Sequence, residues 1–382
     1  MEKYKKFEIK VGLNEAIIGL IDRLLENGVY DAAFLPLSVP AGDSYAWVLL
    51  EDRSLLEIAD IMPPVMPVQG GRALSSLTKH GKLDKSIIAV MRPCEVRATI
   101  ELAKIGQADL ENITIISYDC PGVMPLGDFL ENPNENKKQY KNAVQNGEMS
   151  IMRPTCKACE HFGYINDTVH IGTLGLDNNR AIVITESEKT GELLSKLNLV
   201  DSDDYDAWKK AYDRELEKRK QEAKKLHKKI KAETGGLDNF TDALAKCISC
   251  HNCMNVCPVC YCQRCYFESD ALDFTASQHL KRAESKGLLR FSPEILMFHL
   301  GRMSHMTASC VSCGTCEDAC PVDIPIAQLF STVGADTQAL FEYTPGIDID
   351  QPQPLRTFQA EKELGQIEGI IVAPLKAGDN NE

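Results

Sequence analysis

A chain of 382 residues is long enough for two or three domains. At 44% hydrophobic and 25% charged it is globular, not disordered, and a formal charge of −13 argues against nucleic acid as a partner. Fifteen cysteines would mean disulfides in a secreted chain, but an odd number grouped at metal-binding spacing points to a reducing cytoplasmic interior. The opening MEKYKKFEIKVG has no apolar core of signal-peptide length, and no apolar run approaches a membrane helix.

Residues 1–195 read as a layered α/β domain. Ile17, Leu20, Ile21, Leu24 and Leu25 fall at helical spacing, with Asn27-Gly28 as a stop. Strand-like runs follow at 32–35, 46–50, 86–91, 113–117 and 181–185, with helical stretches such as 95–105 between them, the alternation of a layered sheet. There is neither a G-x-G-x-x-G fingerprint nor a Walker loop. Gly70-Gly71 is either a plain turn or the opening of a helix whose N-terminus receives an anion.

Residues 196–237 are a charged linker built on one long helix over 203–232. Trp208, Tyr212, Leu216, Ala223, Leu226 and Ile230 form its apolar stripe, and Gly235-Gly236 end it. Its charges read as a solvated face.

Residues 238–335 carry the strongest signal. Cys247, Cys250, Cys253 and Cys257, followed by Pro258, recur as Cys310, Cys313, Cys316 and Cys320, followed by Pro321. Two C-x2-C-x2-C-x3-C-P runs are the signature of bacterial two-cluster ferredoxins. Three thiolates on a tight loop grip one cubane, and the fourth reaches the neighbouring one. This assigns Cys247, Cys250, Cys253 and Cys320 to one [4Fe-4S] cluster, and Cys310, Cys313, Cys316 and Cys257 to a second. Zinc is the alternative, but its sites favour separated ligand pairs. Each cluster with its thiolates adds a charge of about −2. The insert with Ile295, Leu296, Phe298, His299 and Met303 is expected to cover the clusters with helices. His299 and His305 read as structural histidines. Residues 336–382 form an extended, Pro-rich tail lying on a surface, its own or a partner's.

Seven cysteines remain. Cys94 and Cys120 stand at strand ends, and Cys156 and Cys159 form a C-x2-C pair. Strand ends of one parallel sheet converge on one edge. The four make a third four-thiolate [4Fe-4S] site, or else they are two inert buried cysteines and a stray pair. Glu95 and Arg97 either tune that site or lie on the surface of the next helix. Cys260, Cys262 and Cys265 offer three thiolates without an evident fourth: they hold a further cluster with an outside ligand, or they pack near the ferredoxin fold.

The segments MRPCEVRATIELAK, SYDCPG, RPTCKACEHFG and INDTVHIGTLGLDN, in this order, resemble the beta subunit family of deazaflavin-coenzyme (factor 420) hydrogenases and formate dehydrogenases. KCISCHNCMNVCPVCYCQRC, LMFHLGRMSHMTASCVSCGTCEDACPVDIPIAQLF and YTPGID are similar to formate dehydrogenase beta subunits more closely still. The resemblance implies a third cluster on Cys94, Cys120, Cys156 and Cys159 beside FAD. It sets Asp167, Gly172, Thr173, Gly175 and Asp177 near that flavin, with small residues letting backbone approach it. Where relatives carry a Gly-Gly pair at the first helix, this chain reads Val11-Gly12-Leu13-Asn14-Glu15. The function implied is an oxidoreductase subunit passing electrons between a catalytic partner and a soluble carrier: deazaflavin, nicotinamide or ferredoxin. A flavin-free relay between two partner proteins is the alternative, and a redox sensor the third.

Overall fold

The computed structural model describes residues 4–9, 12–166, 168–177, 179–185, 199–262, 264–270, 275–287, 293–354 and 356. Asp167 and the tail beyond 356 lie outside them.

The N-terminal half is an eight-stranded mixed sheet flanked by helices. Its strands are β1 (Tyr4–Glu8), β2 (Ala32–Ser38), β3 (Tyr45–Leu50), β4 (Ile87–Val90), β5 (Ile113–Tyr118), β6 (Val169–Gly172), β7 (Arg180–Ile184) and β8 (Val200–Asp201). They lie in the order β3-β2-β4-β5-β6-β7-β1-β8. The central β2, β4, β5 and β6 are parallel, while β3, β7, β1 and β8 join antiparallel. The central strands read as unbroken apolar runs because both faces are covered. Helix α1 (Leu13–Glu26) packs Ile17, Leu20, Ile21 and Leu24 on one face. Helices α2 (Gly70–Thr78) and α3 (Pro93–Lys104) cover the other with Leu74, Val96 and Ile100. The strands β1, β6 and β8 have no counterpart in the sequence reading: they are short or lie at the sheet's antiparallel margin.

Gly70-Gly71 opens α2 instead of making a plain turn. A Cβ on Gly70 would stand 2.5 Å from the Trp47 ring, and one on Gly71 would stand 2.8 Å from the Glu95 carbonyl, so only glycine lets α2 meet α3 this closely. The anion at this N-terminus is the protein's own: the Gly70 N–H donates to the Glu95 carboxylate at 3.1 Å.

Further helices are α4 (Leu126–Glu131), α5 (Pro133–Asn146) and α6 (Pro154–Lys157). Then α7 (Tyr205–Thr234) runs thirty residues, about 45 Å at 1.5 Å per residue. It starts with Trp208 packed on Ile182 and Ile184 of the sheet. It finishes with Ile230 packed among Leu244, Met303 and Phe330 of the C-terminal helical part. That part holds α8 (Leu237–Leu244), α9 (Asn252–Asn255), α10 (Ala276–Lys286), α11 (Pro293–Met306), α12 (Thr315–Asp318) and α13 (Ile326–Leu340). Helix α13 runs past 335, where the sequence reading begins the tail.

The described part of the tail lies on the chain's own surface. After α13 it returns to α3, whose Glu101 is wholly buried. The Glu101 carboxylate accepts from the Tyr343 hydroxyl, from Gly346 N–H at 2.8 Å and from Gln353 Nε2 at 2.8 Å, and pairs with Lys104 at 3.1 Å. Gly346 (φ +70°) sits so tightly on the Arg97 backbone that a Cβ would stand 2.2 Å from its carbonyl oxygen. Replacing Glu101 by Ala strands these donors in the interior, each at about 1–3 kcal/mol. The expected outcome for Glu101→Ala is a loss of about 3 kcal/mol or more in denaturant unfolding, with hydrogen exchange over 343–353 accelerated ahead of the sheet.

Candidate iron–sulfur relay

Both cysteine runs adopt one backbone pattern. Ser249 and His251 in the first, and Ser312 and Gly314 in the second, have φ of 54°, 55°, 56° and 81°. Alternating left-handed residues turn successive amides toward one point, an arrangement suited to negative charge. The short helices α9 and α12 follow, and each stops before the fourth cysteine. Pro258 and Pro321 then carry the chain away.

The structure brings together cysteines from different runs. Cys247, Cys250 and Cys253 line one hollow with Cys320, under Phe298 and His299 of α11. This is the outer site, and Cys250 is its exposed member. Cys257 leaves its own run and stands with the second: burial first, and the nearby charge of Cys257 after it, push up the thiols of Cys310, Cys313 and Cys316. Cys94, Cys120, Cys156 and Cys159 line a second hollow. Cys94 sits in the first turn of α3 where β4 ends, Cys120 follows β5, and the parallel pairing of β4 and β5 puts both at one sheet edge. Helix α6 brings the C-x2-C pair across. Ser312 and Cys313 line this same inner hollow, so the middle and inner groups are immediate neighbours.

The contact is tight by construction. A Cβ on Gly314 would lie 2.6 Å from Thr155 Oγ1. Arg153 Nη1 donates to the Cys313 carbonyl at 3.0 Å, and its Nη2 pairs with Asp318. From α2, Arg72 donates to the Cys257 carbonyl at 2.9 Å. Arg97 donates to the Pro345 carbonyl at 2.7 Å and the Val311 carbonyl at 3.4 Å. Arg97 and Glu95 are thus buried and not on the helix surface.

The donor set fits cubanes. Burial first, and neighbouring thiolates after it, push Cys120 up to about 11 and Cys310 up to about 12, and lift Cys94 and Cys316 well above the usual thiol range. Crowded thiols in this state bind protons unless cationic metal replaces them. Arg92, Arg153 and Arg302 are buried with their Nε atoms unpartnered, as is His299 Nδ1, so cations and donors already surround the sulfurs. Among the described residues no three His, Cys, Asp or Glu side chains close around a single metal ion. A cubane is a larger body, with its thiolates further apart.

The flavin positions fit less well. A Cβ on Gly172 would stand 2.5 Å from Trp208 Nε1, and one on Gly175 would stand 2.4 Å from the Ala211 Cβ. The expected close approach exists, but α7 makes it. Buried Asp119 accepts from the Thr173 N–H at 2.7 Å, the Leu174 N–H at 3.0 Å and the Trp208 indole at 2.9 Å, and pairs with His170 at 2.9 Å. Burial raises its pKa, but the His170 hydrogen bond and these amides outweigh that and hold it below the usual range. Asp177 is exposed beside Arg180. These residues form a packed joint between sheet and helix.

Cys260 packs beside the middle group, its thiol pushed up to about 12 by burial, then by Cys257. Cys265 contacts Met254 Sδ at 3.9 Å, and Cys262 is exposed. His305 is exposed, whereas buried His299 turns Nε2 to within 3.5 Å of Cys247 Sγ and, among the described residues, leaves Nδ1 without a partner. Sequence reasoning missed Arg302, although it stands three residues after His299 in the apolar stretch ILMFHLGRM, on the same helix face.

A family model described as a 4Fe-4S dicluster domain matches residues 243–324. The F420-dependent formate dehydrogenase subunit beta of Methanocaldococcus jannaschii is 29% identical over 315 residues, 72% of this chain and 79% of that protein. The F420-dependent formate dehydrogenase 1 subunit beta of Methanococcus maripaludis is 27% identical over 379 residues, 89% of this chain and 92% of that protein. A chain of the F420-reducing [NiFe] hydrogenase complex from Methanosarcina barkeri superposes with a TM-score of 0.42 at 12% identity, covering 62% of this chain and 94% of its own, a likeness too low to argue from. The paired cysteine runs thus coincide with the match to a 4Fe-4S dicluster domain, and along most of its length the chain is similar to beta subunits of F420-dependent formate dehydrogenases.

Proposed function

We propose that the chain is the electron-transfer subunit of an anaerobic, cytoplasmic oxidoreductase complex, passing electrons between a catalytic partner and a soluble carrier. The observation that supports this best is the succession of three cysteine groups, joined where Cys313 borders the hollow of Cys94, Cys120, Cys156 and Cys159. Cys247, Cys250, Cys253 and Cys320 would hold an outer [4Fe-4S] cluster, Cys257, Cys310, Cys313 and Cys316 a middle one, and the four N-terminal cysteines an inner one. A bound cluster exchanges one electron at a time. The protein's part is to fix spacing, exclude water and supply compensating charge. The sheet, the linker helix and the helical part would act as one body about these groups. Among the described residues no helix is long and apolar enough to cross a membrane. Formate or hydrogen chemistry would belong to the partner, and the relatives' F420 makes deazaflavin one carrier to test.

A flavin-free relay between two partner proteins is the second reading, favoured by the packing of Trp208 and Ala211 on Gly172 and Gly175. Anaerobic purification with iron and flavin analysis separates the possibilities. About twelve irons per chain are expected from three cubanes at four each, and about eight would defeat the inner cluster. Stoichiometric FAD would defeat the flavin-free reading. Cys156→Ser with Cys159→Ser is expected to remove about four irons and leave the ferredoxin-type signals. Gly172→Ala is expected to cost about 1–3 kcal/mol by overpacking against the indole, measured in denaturant. If the glycine instead served a flavin, the same substitution would leave the flavin-free protein's stability unchanged.

A further inference from the structure

Arg302 and His299 lie one turn apart on α11 and face the outer cysteines. Arg302 Nη1 stands 3.0 Å from Cys253 Sγ, and Nη2 donates to the Cys253 carbonyl at 3.0 Å. The guanidinium is held between two rings, with its Cζ 4.7 Å from the centroid of Phe330 and 5.5 Å from that of Phe298. Arg302 is 3% exposed. Among the described residues it has no carboxylate partner, and its Nε is unpaired.

A buried cation with no counter-anion is costly, and proteins keep one where an anion belongs. Among the described residues the one sulfur it contacts directly is that of Cys253, which would be a thiolate when it holds a cluster. Reduction of a cluster at that thiolate adds one electron and no proton, so the negative charge facing Arg302 grows by one. An N–H bond and a full positive charge at the sulfur stabilise the reduced form more than the oxidised one, which raises the potential. Lysine would keep the charge but lose the planar, two-point grip on Sγ and carbonyl.

Resting on the cluster reading above, we propose that Arg302, clamped by Phe298 and Phe330, is the residue that sets the reduction potential of the outer cluster. It is a positioning residue that acts through Cys253, and neither the cysteine spacing nor the dicluster domain assigns it this role.

The test is an anaerobic redox titration of the full chain followed by electron paramagnetic resonance. The outer cluster is identified as the signal altered by Cys250→Ser. Arg302→Gln is expected to lower that cluster's midpoint by at least about tenfold in the reduced-to-oxidised ratio, about 59 mV for a one-electron couple. Arg302→Lys should shift it less, and the other two signals should move less than the outer one. An unmoved outer midpoint in a fully iron-loaded Arg302→Gln protein overturns the proposal. So does an equal shift of all three signals, which would mark a general structural change. If the glutamine variant fails to bind iron, wild-type protein grown with ¹⁵N-arginine decides. Pulsed resonance should show ¹⁵N coupling on the reduced outer cluster that Arg302→Lys abolishes, and its absence overturns the role. Failure of the cluster reading is distinct, because wild-type protein would then lack iron and signal altogether.

Discussion

The bond from Arg153 to the Cys313 carbonyl fixes how the two halves of this molecule meet. Arg153 caps the start of α6, the turn that carries Cys156, and donates to the backbone of the opposing cysteine loop. Its other end pairs with Asp318 of α12, which is itself buried. Gly314 removes the side chain that would keep the loops apart. Breaking a buried ion pair from one side leaves an uncompensated charge, so this junction resists small adjustments. An electron tunnels at a rate that falls steeply with distance, and a relay therefore needs a junction of this kind between its segments.

Charge is the second constraint. Crowded, buried thiols oppose ionisation in one another, and the cysteine groups are stable as thiolates only if cations surround them. The protein supplies part of this itself, with Arg92, Arg97, Arg153, Arg219 and Arg302 all buried near cysteines. Arg219 lies 4.0 Å over the Phe162 ring and donates to the Cys120 carbonyl at 3.3 Å. Arginine suits this work because it stays charged when buried and grips carbonyls with a planar fork. The chain is strongly acidic overall, yet its interior around the cysteines is basic.

The cysteine spacing made the paired runs legible, because three sulfurs on one loop and a fourth beyond it leave a pattern in one dimension. The pairing of strand-end Cys94 and Cys120 with Cys156 and Cys159 was legible as soon as β4 and β5 were taken as parallel neighbours. Of the arginines only Arg97, beside Cys94, was marked in the sequence; Arg72 and Arg153 were not, since they act across the fold, on Cys257 and on Cys313. Nothing in a linear pattern marks those distances. Gly172 and Gly175 show the converse case. Their smallness was read correctly as a sign of close approach, but a sequence does not say what approaches, and Trp208 and Ala211 come from a helix some thirty residues on. The tail was ambiguous for the same reason, because the carboxylate that holds it, Glu101, lies in α3.

These separate contacts act on one boundary. The long helix is seated in the sheet at Trp208 and in the helical core at Ile230. The tail returns from α13 to α3, the helix whose first turn carries Cys94. The Arg153 bridge lies between them. The helix and the tail add two further contacts to the one that Arg153 makes, spread around the inner and middle cysteines. Under the proposed relay, such a junction would hold the gap between the middle and inner groups fixed. The outer site lies under Phe298 and His299 of α11. Its exposed Cys250 and the apolar edge at Ile248 leave it open to solvent, which suits an end that exchanges electrons with another molecule better than a link that only passes them along.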